Sequence, residues 1–273
     1  MTAFARRGLG LLVLVTMVGL LPARAQALPA YSRLFQAKYG YRVTCQACHS
    51  AGGGSAVNDY GRDFLRSGAN LGGFARLEAK DSDADGAKNL VEIRAKANPG
   101  DPRSTPAAIG DWLAGADAPQ IPAVDLKKIF PSADTFAAVE GSLKPAQVKA
   151  IEAAAGVKLS PEDKLPTFYF AIKGGKRYAV AEFISFQSSA GLVSVAVAMD
   201  TAGVVSGIKI LTNPASKAIE GPAFVGQFKG KKRGDPVAVG TDITAAAGAD
   251  ELSAQAAVAV RKAIAMINAV FGR

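Results

Sequence analysis

The only histidine and the only two cysteines of this 273-residue chain stand together in one pentapeptide, Cys45-Gln46-Ala47-Cys48-His49. No other feature constrains the local fold as tightly. Two thiols three residues apart lie on one side of a helical turn and can add to the two vinyl groups of one haem. The adjacent histidine then faces the iron as its proximal ligand. Two further readings compete for these residues: a Cys45–Cys48 redox disulfide of thioredoxin type, and half of a zinc site. The first wants a preceding strand within a βαβ unit, which the flanking sequence does not offer. The second would need a carboxylate to complete it. The same census excludes a Ser-His-Asp hydrolase with a separate histidine metal site, a wire of bis-histidine haems, and an iron–sulfur cluster on four thiolates.

The N-terminus supplies the compartment that covalent haem attachment requires. Arg6 and Arg7 precede an uncharged run from Gly8 to Leu21, followed by Pro22 and the small-residue pattern Ala25-Gln26-Ala27. This order predicts a secretory signal peptide over 1–27. The run of 14 residues falls short of the ~20 that span a bilayer. With no later apolar stretch expected to span, the mature protein is expected in the periplasm or otherwise outside the cytoplasm. Cleavage removes Arg6, Arg7 and Arg24, so the formal charge of +9 falls to +6.

A second motif follows at Asp81-Ser82-Asp83-Ala84-Asp85-Gly86-Ala87-Lys88-Asn89-Leu90-Val91-Glu92. It matches a D-x-D-x-D-G-x-x-N-x-x-E calcium loop. Asp81, Asp83 and Asp85 would converge on a hard cation, Gly86 permits the sharp turn, and the Ala87 carbonyl is the backbone ligand. Asn89 would act through water, and Glu92 would close the site in bidentate fashion. The competing reading is a solvated acidic loop with Asp85 or Asn89 capping the next helix. Lys88 stands where paired EF-hands carry an aliphatic residue, so an isolated structural loop is expected.

The stretch from Pro106 to Pro122 is small and proline-punctuated, which divides the chain. The expected organisation is a small α-helical haem domain over 28–115, a linker over 116–123, and an α+β domain with an antiparallel sheet over 124–273. In the latter, 145–155 reads as a helix, and strand-like runs cover 167–172, 177–184, 192–199 and 204–211. An alanine-rich helix is expected over 253–267. The pentapeptide, with Tyr39-Gly40 before it and Asn58-Asp59-Tyr60-Gly61-Arg62 after it, resembles a monohaem cytochrome c domain. That family usually supplies a methionine as the sixth ligand, and 28–115 contains none. Met199 and Met266 fall on an expected strand and helix and read as core. Lys38, Tyr39, Tyr41, Tyr60, Lys80, water or a partner protein remain as sources, and a five-coordinate or weakly ligated iron is expected.

The C-terminal part resembles the periplasmic FMN-binding domain of flavin-carrying subunits of ion-translocating reductases. The resemblance runs roughly from Leu126 to Ala269 through Ile129-Phe130-Pro131-Ser132-Ala133, Val197 to Gly203, Phe224 to Lys231, and Ala247-Gly248-Ala249-Asp250. In that family the last segment ends in a threonine that carries FMN through a phosphoester. Asp250 stands there instead and would repel the phosphate. Covalent FMN is therefore not expected. Three readings stay open: non-covalent FMN at Gly248, Ala249 and Asp250 near a helix N-terminus, a domain that has lost flavin and docks, or a site for another small molecule.

The basic run Lys229, Lys231, Lys232 and Arg233, with Lys173, Lys176 and Arg177, reads either as a solvated surface or as a docking face. Its partner would be an acidic periplasmic or membrane-bound redox protein, or an anionic membrane surface. Nucleic acid is not expected. No acid–base or nucleophilic set remains beyond the histidine, so an electron carrier is expected rather than an enzyme. The rivals are a haem-based sensor of small ligands or an assembly factor for a periplasmic redox complex, with a peroxidase-like enzyme behind them.

Overall fold

A computed structural model describes residues 29–53 and 55–272, so the expected signal peptide at 1–27 lies outside the described residues. The N-terminal part holds four helices: α1 (Pro29–Tyr39), α2 (Asp59–Arg66), α3 (Leu71–Leu77) and α4 (Asn89–Ala95). Asn58 and Asn70 start α2 and α3 by accepting hydrogen bonds from the Gly61 and Gly73 amides, which satisfies donors a helix start leaves open. The core among them is mainly aromatic, with Phe35, Tyr60, Phe64, Phe74 and Trp112 buried beside Leu34, Leu77 and Ile93. Phe64 and Phe74 stack with centroids 4.4 Å apart, and Tyr31 meets Phe64 edge-on at 5.1 Å.

The remainder is α+β, as expected. Five strands, β1 (Thr135–Glu140), β2 (Thr167–Lys173), β3 (Lys176–Ser188), β4 (Gly191–Asp200) and β5 (Val205–Thr212), form an antiparallel meander in chain order. Helix α5 (Ala123–Ile129) precedes the sheet and α6 (Pro145–Ala155) lies between β1 and β2. A short α7 (Pro222–Val225) and the long α8 (Asp250–Phe271) follow it. Val193, Val195, Val197 and Met199 of β4 face the core shared with Ile151 of α6 and Val260, Ile264 and Met266 of α8. On the other face Tyr169, Ala179, Ala181 and Ala198 pack against Leu126 and Phe130. A strand covered on both faces carries a near-continuous apolar run, which is why Leu192 to Met199 shows no polar alternation. Both methionines are core, as their setting predicted.

Two features differ from the sequence reading. Strand β1 was not expected, because Thr-Phe-Ala-Ala-Val-Glu has weak patterning and pairs on one side only. Helix α8 is long and apolar enough to cross a bilayer, the one such helix among the described residues, although no spanning stretch was expected there. Half of its apolar window is buried against the sheet, and Lys262 in its middle pairs with Asp163 at 2.7 Å, so it serves as a core helix. The stretch expected as a linker is an ordered strap. Gln120 donates to the Gly115 and Ala118 carbonyls, and its own carbonyl accepts from the Tyr169 hydroxyl. Arg42 donates to the Asp117 carbonyl and pairs with Glu140 at the end of β1, while Arg33 donates to the Gly141 carbonyl.

Candidate functional site

The pentapeptide forms one 3₁₀ turn (Cys45–Ala47), started by Thr44, whose hydroxyl accepts from the Gln46 amide. The His49 amide donates to the Cys45 carbonyl at 3.0 Å, so thiols and imidazole are fixed on one short unit. Helix α2 presses its backbone against this unit at Gly61. A Cβ there would stand 2.2 Å from the Cys48 carbonyl oxygen, so only glycine allows the approach. Beside the turn lies a mostly apolar cleft, walled by Phe35, Val43, Phe64 and Phe74 and open to Cys45, Cys48 and His49.

The imidazole is oriented before any ligand arrives. His49 is 4 % exposed, and its Nδ1 lies 2.8 Å from the Ser55 carbonyl, which makes Nδ1–H the donor. Nε2 has no hydrogen-bond partner among the described residues. Burial lowers the proton affinity of the ring, partly offset by that carbonyl, so the neutral, ligand-competent form prevails at neutral pH. Burial also raises both thiols, Cys48 up to about 12. Thiol–disulfide chemistry instead wants a lowered thiol in an electropositive setting. No Asp or Glu lines the cleft, so the carboxylate a zinc site would need is not at hand. The thiols are free, the apolar walls suit a macrocycle, and the locked ring leaves one nitrogen for iron; the residues fit a covalently attached haem.

The residues proposed from sequence for the far side of the iron do not line this cleft. Lys38 pairs with Glu78 at 2.9 Å, and the Tyr39 hydroxyl donates to the same carboxylate. The Tyr41 hydroxyl donates to the Ile93 carbonyl, Lys80 pairs with Asp63, and Tyr60 is fully buried, its hydroxyl without a hydrogen-bond partner among the described residues. The cleft is instead completed by residues distant in sequence: Tyr31 of α1, Gln120 of the strap and Leu192 of β4. Gln120 Oε1 lies 3.7 Å from Cys45 Sγ. No local motif marks these three, since tertiary folding alone brings them to the thiols.

The acidic loop is brought together. One carboxylate oxygen from each of Asp81, Asp83 and Asp85 lies within 4.8 Å of the others. The same carboxylates accept from the loop's own amides at Gly86, Asp85 and Ala87, with Gly86 at φ +97° making the turn. Glu92 is fully buried, and neither of its oxygens has a hydrogen-bond partner; Asp83 Oδ2 is likewise unpartnered. Burial, then the charges of Asp83, Asp85 and Asp81, push Glu92 up to about 8, and Asp83 rises to about 6. Asn89 spends its carboxamide inside the fold, donating to the Leu77 carbonyl and Ser82 hydroxyl and accepting from the Ser82 amide. In this structure it braces the loop.

Gly248, Ala249 and Asp250 lie at the start of α8, with Asp250 in the first turn, where its own carboxylate complements the helix dipole. The nearest cleft is lined by Phe224, Gln227 and residues 244–247, and none of the three candidate residues is among its walls. The basic residues gather at one end of the sheet. Lys173 and Lys176 flank the β2–β3 turn, Ala179 pairs with Asp200, and Val204 bridges to Lys232. Lys231 is tied to Asp242 at 2.8 Å and is less free than its neighbours. Leu192, which closes the cysteine cleft, pairs with Gln187 at the other end of β3. Thirteen residues of β3 put the two ends roughly 40 Å apart. No protein-family model matches the chain and no curated protein matches it, so the resemblances to cytochrome c and FMN-binding domains rest on the residues quoted for them.

Proposed function

We propose that the chain is an exported, periplasmic electron carrier with one covalent c-type haem, attached through Cys45 and Cys48 and ligated by His49. A single observation carries this reading: both thiols and a pre-oriented histidine open onto one apolar cleft, and the Ser55 carbonyl engages Nδ1 and leaves Nε2 unpartnered. Bound there, haem supplies a one-electron iron couple. Phe35, Phe64 and Phe74 exclude water from the cleft, Gly61 keeps α2 against the attachment turn, and the strap at Gln120 shields Cys45. In this reading 29–115 is the haem unit and the sheet region is the docking unit, without covalent FMN. The basic end of the sheet lies far from the thiols, so it tethers an acidic partner or anionic surface while electrons pass at the cleft end.

The same reading places calcium at Asp81, Asp83, Asp85, the Ala87 carbonyl and Glu92. Glu92 supports it, because a fully buried carboxylate with two unpartnered oxygens beside three aspartates is costly without a cation. Its role is to stiffen a region with a small core. The test for both is direct. Protein exported in a host with a c-type haem attachment system should keep its chromophore after acid–acetone extraction and contain one iron and one calcium per chain. Loss of colour on extraction would reject the attachment, and absence of calcium after dialysis at micromolar calcium would reject the loop assignment.

One observation favours a second reading, that of a small-ligand sensor or assembly factor: among the described residues no Met, Lys or second His lines the cleft. Rapid carbon monoxide binding by the reduced protein would support the sensor, and failure to bind would support the carrier.

A further inference from the structure

Behind the cysteine cleft lies a second, small cavity, lined by Tyr31, Glu162, Asp163, Thr167, Tyr169, Glu182 and Ser185 among others. Two buried side-chain atoms among the residues lining it, Thr167 Oγ1 and Glu182 Oε2, have no hydrogen-bond partner among the described residues, while the Tyr31 hydroxyl is engaged by the Ser185 side chain. Buried polar groups are nearly always satisfied, and two orphans bordering one space call for a shared occupant. A small cavity bordered by polar groups of this kind suits ordered water. Glu182 is 2 % exposed in mid-β3, between Phe168 on β2 and Val197 on β4, so its strand neighbours offer no charge. Lys262 reaches in from α8 but is held by Asp163 at 2.7 Å. Glu162 and Asp163 from the loop before β2, Tyr169 from β2 and Tyr31 from α1 are the remaining titratable groups around the cavity. Tyr31 also lines the cysteine cleft, so the two spaces share that residue in their walls.

We propose that this cavity is a water-linked proton site, with Glu182 as its proton acceptor, whose occupancy follows the oxidation state of the metal centre held by His49. The inference rests on the haem reading and deepens it. If His49 holds a haem, its reduction by one electron from a partner redox protein would remove one positive charge at the cysteine cleft. Glu182 carboxylate then takes one proton from bulk water through the cavity, giving the neutral acid; oxidation reverses both transfers. Burial first, then the charge of Asp163, raises Glu182 well above an ordinary carboxylate, while Lys262 opposes this. The proton affinity of Glu182 is therefore displaced from the ordinary carboxylate range, and a nearby charge is expected to move it further. A unit charge on the order of 10 Å away, across protein of effective dielectric ~20, changes that affinity roughly tenfold.

The test is a potentiometric titration of the haem-loaded full chain across pH, in wild type and in Glu182→Gln. The wild-type potential should fall with rising pH through one window. The total change should be about tenfold in equilibrium constant, or about 59 mV for one electron. Glu182→Gln should be flat there and sit at the wild-type low-pH value, because its side chain stays neutral. Redox-difference infrared spectra of the wild type should show a carboxylic-acid band that gains intensity on reduction, a readout that needs no variant. A flat wild-type titration, an unchanged slope in Glu182→Gln, or no carboxylic-acid band would each overturn the proton site. If the purified chain carries no covalent haem, the underlying reading fails instead, and the absorbance spectrum reveals that before any titration.

Discussion

The molecule buries carboxylates in two places and treats them in opposite ways. In the sheet region Asp163 is met from within the chain by Lys262 of α8, at 2.7 Å and almost without exposure. In the N-terminal region Glu92 is equally buried beside three aspartates, and among the described residues no lysine or arginine pairs with it. A counter-charge built into the sequence gives a permanent structural pair. A cluster without one is stable only with an ion from solution, or with its carboxyl groups partly protonated. The regions differ in core as well. The sheet is covered on both faces, by a large and mainly aliphatic core on the side of α6 and α8 and by a smaller mixed one on the other, while the N-terminal helices pack around a few aromatic rings. The region that most needs an external staple is the one whose charges are arranged to take it.

The largest expected effect comes from breaking the internal pair. Lys262→Met strands Asp163 beside Glu182 and should cost about 3–5 kcal/mol in chemical denaturation. Lys262→Met with Asp163→Asn should recover much of that; an equal loss in both would mean that lysine packing matters more than charge. Next comes the external ion. Chelation of calcium should lower stability by about 3 kcal/mol relative to protein at a hundredfold excess over the dissociation constant. Asp83→Asn with Glu92→Gln should remove that calcium response, and a surviving response would place the ion elsewhere.

A smaller effect, about 1–3 kcal/mol, is expected for Gly61→Ala, whose Cβ would collide with the Cys48 carbonyl. It should also reduce haem attachment, because α2 must back away from the turn; attachment at the wild-type level would show that this packing is not needed. The smallest concerns Asp242, which accepts from Lys231 and from the Val237 and Ala238 amides and so holds Val237 at φ +43°. Burial pushes its carboxyl up, but those donors outweigh it and leave it below the usual carboxylate range. A depressed carboxyl stabilises the fold above the ordinary aspartate value, and this is lost as pH falls through its folded value. Asp242→Asn should therefore cost about 1 kcal/mol at neutral pH and nothing in strong acid, followed by unfolding at both pH values. A cost independent of pH would point to geometry alone.

What could be read in the sequence divides along the same line. The attachment turn, the acidic loop, the helix at 145–155 and four of the five strands are local patterns, and each depends on residues within a dozen positions. Strand β1 was missed because an edge strand of Thr, Ala and Val has little periodicity, and β3 runs on to Ser188 because its polar end is carried by pairing with β4. Tyr31, Gln120 and Leu192 complete the cleft through contacts that span most of the chain. The tyrosines and lysines considered from sequence for the far side of the iron do not line the cleft, for the converse reason. They are near the motif in sequence, yet the polar ends of Lys38, Tyr39, Tyr41 and Lys80 are engaged by Glu78, Asp63 and the Ile93 carbonyl, and Tyr60 is fully buried.

The central claim is that Cys45, Cys48 and His49 together hold one covalent haem. The most direct measurement is the mass and absorbance of the exported protein after denaturation and acid–acetone extraction, beside Cys45→Ala/Cys48→Ala. The account predicts one haem mass added to the wild-type chain, with its colour retained through extraction and absent from the double variant. A colourless wild-type chain at its polypeptide mass, or a chromophore that extracts freely, would contradict it.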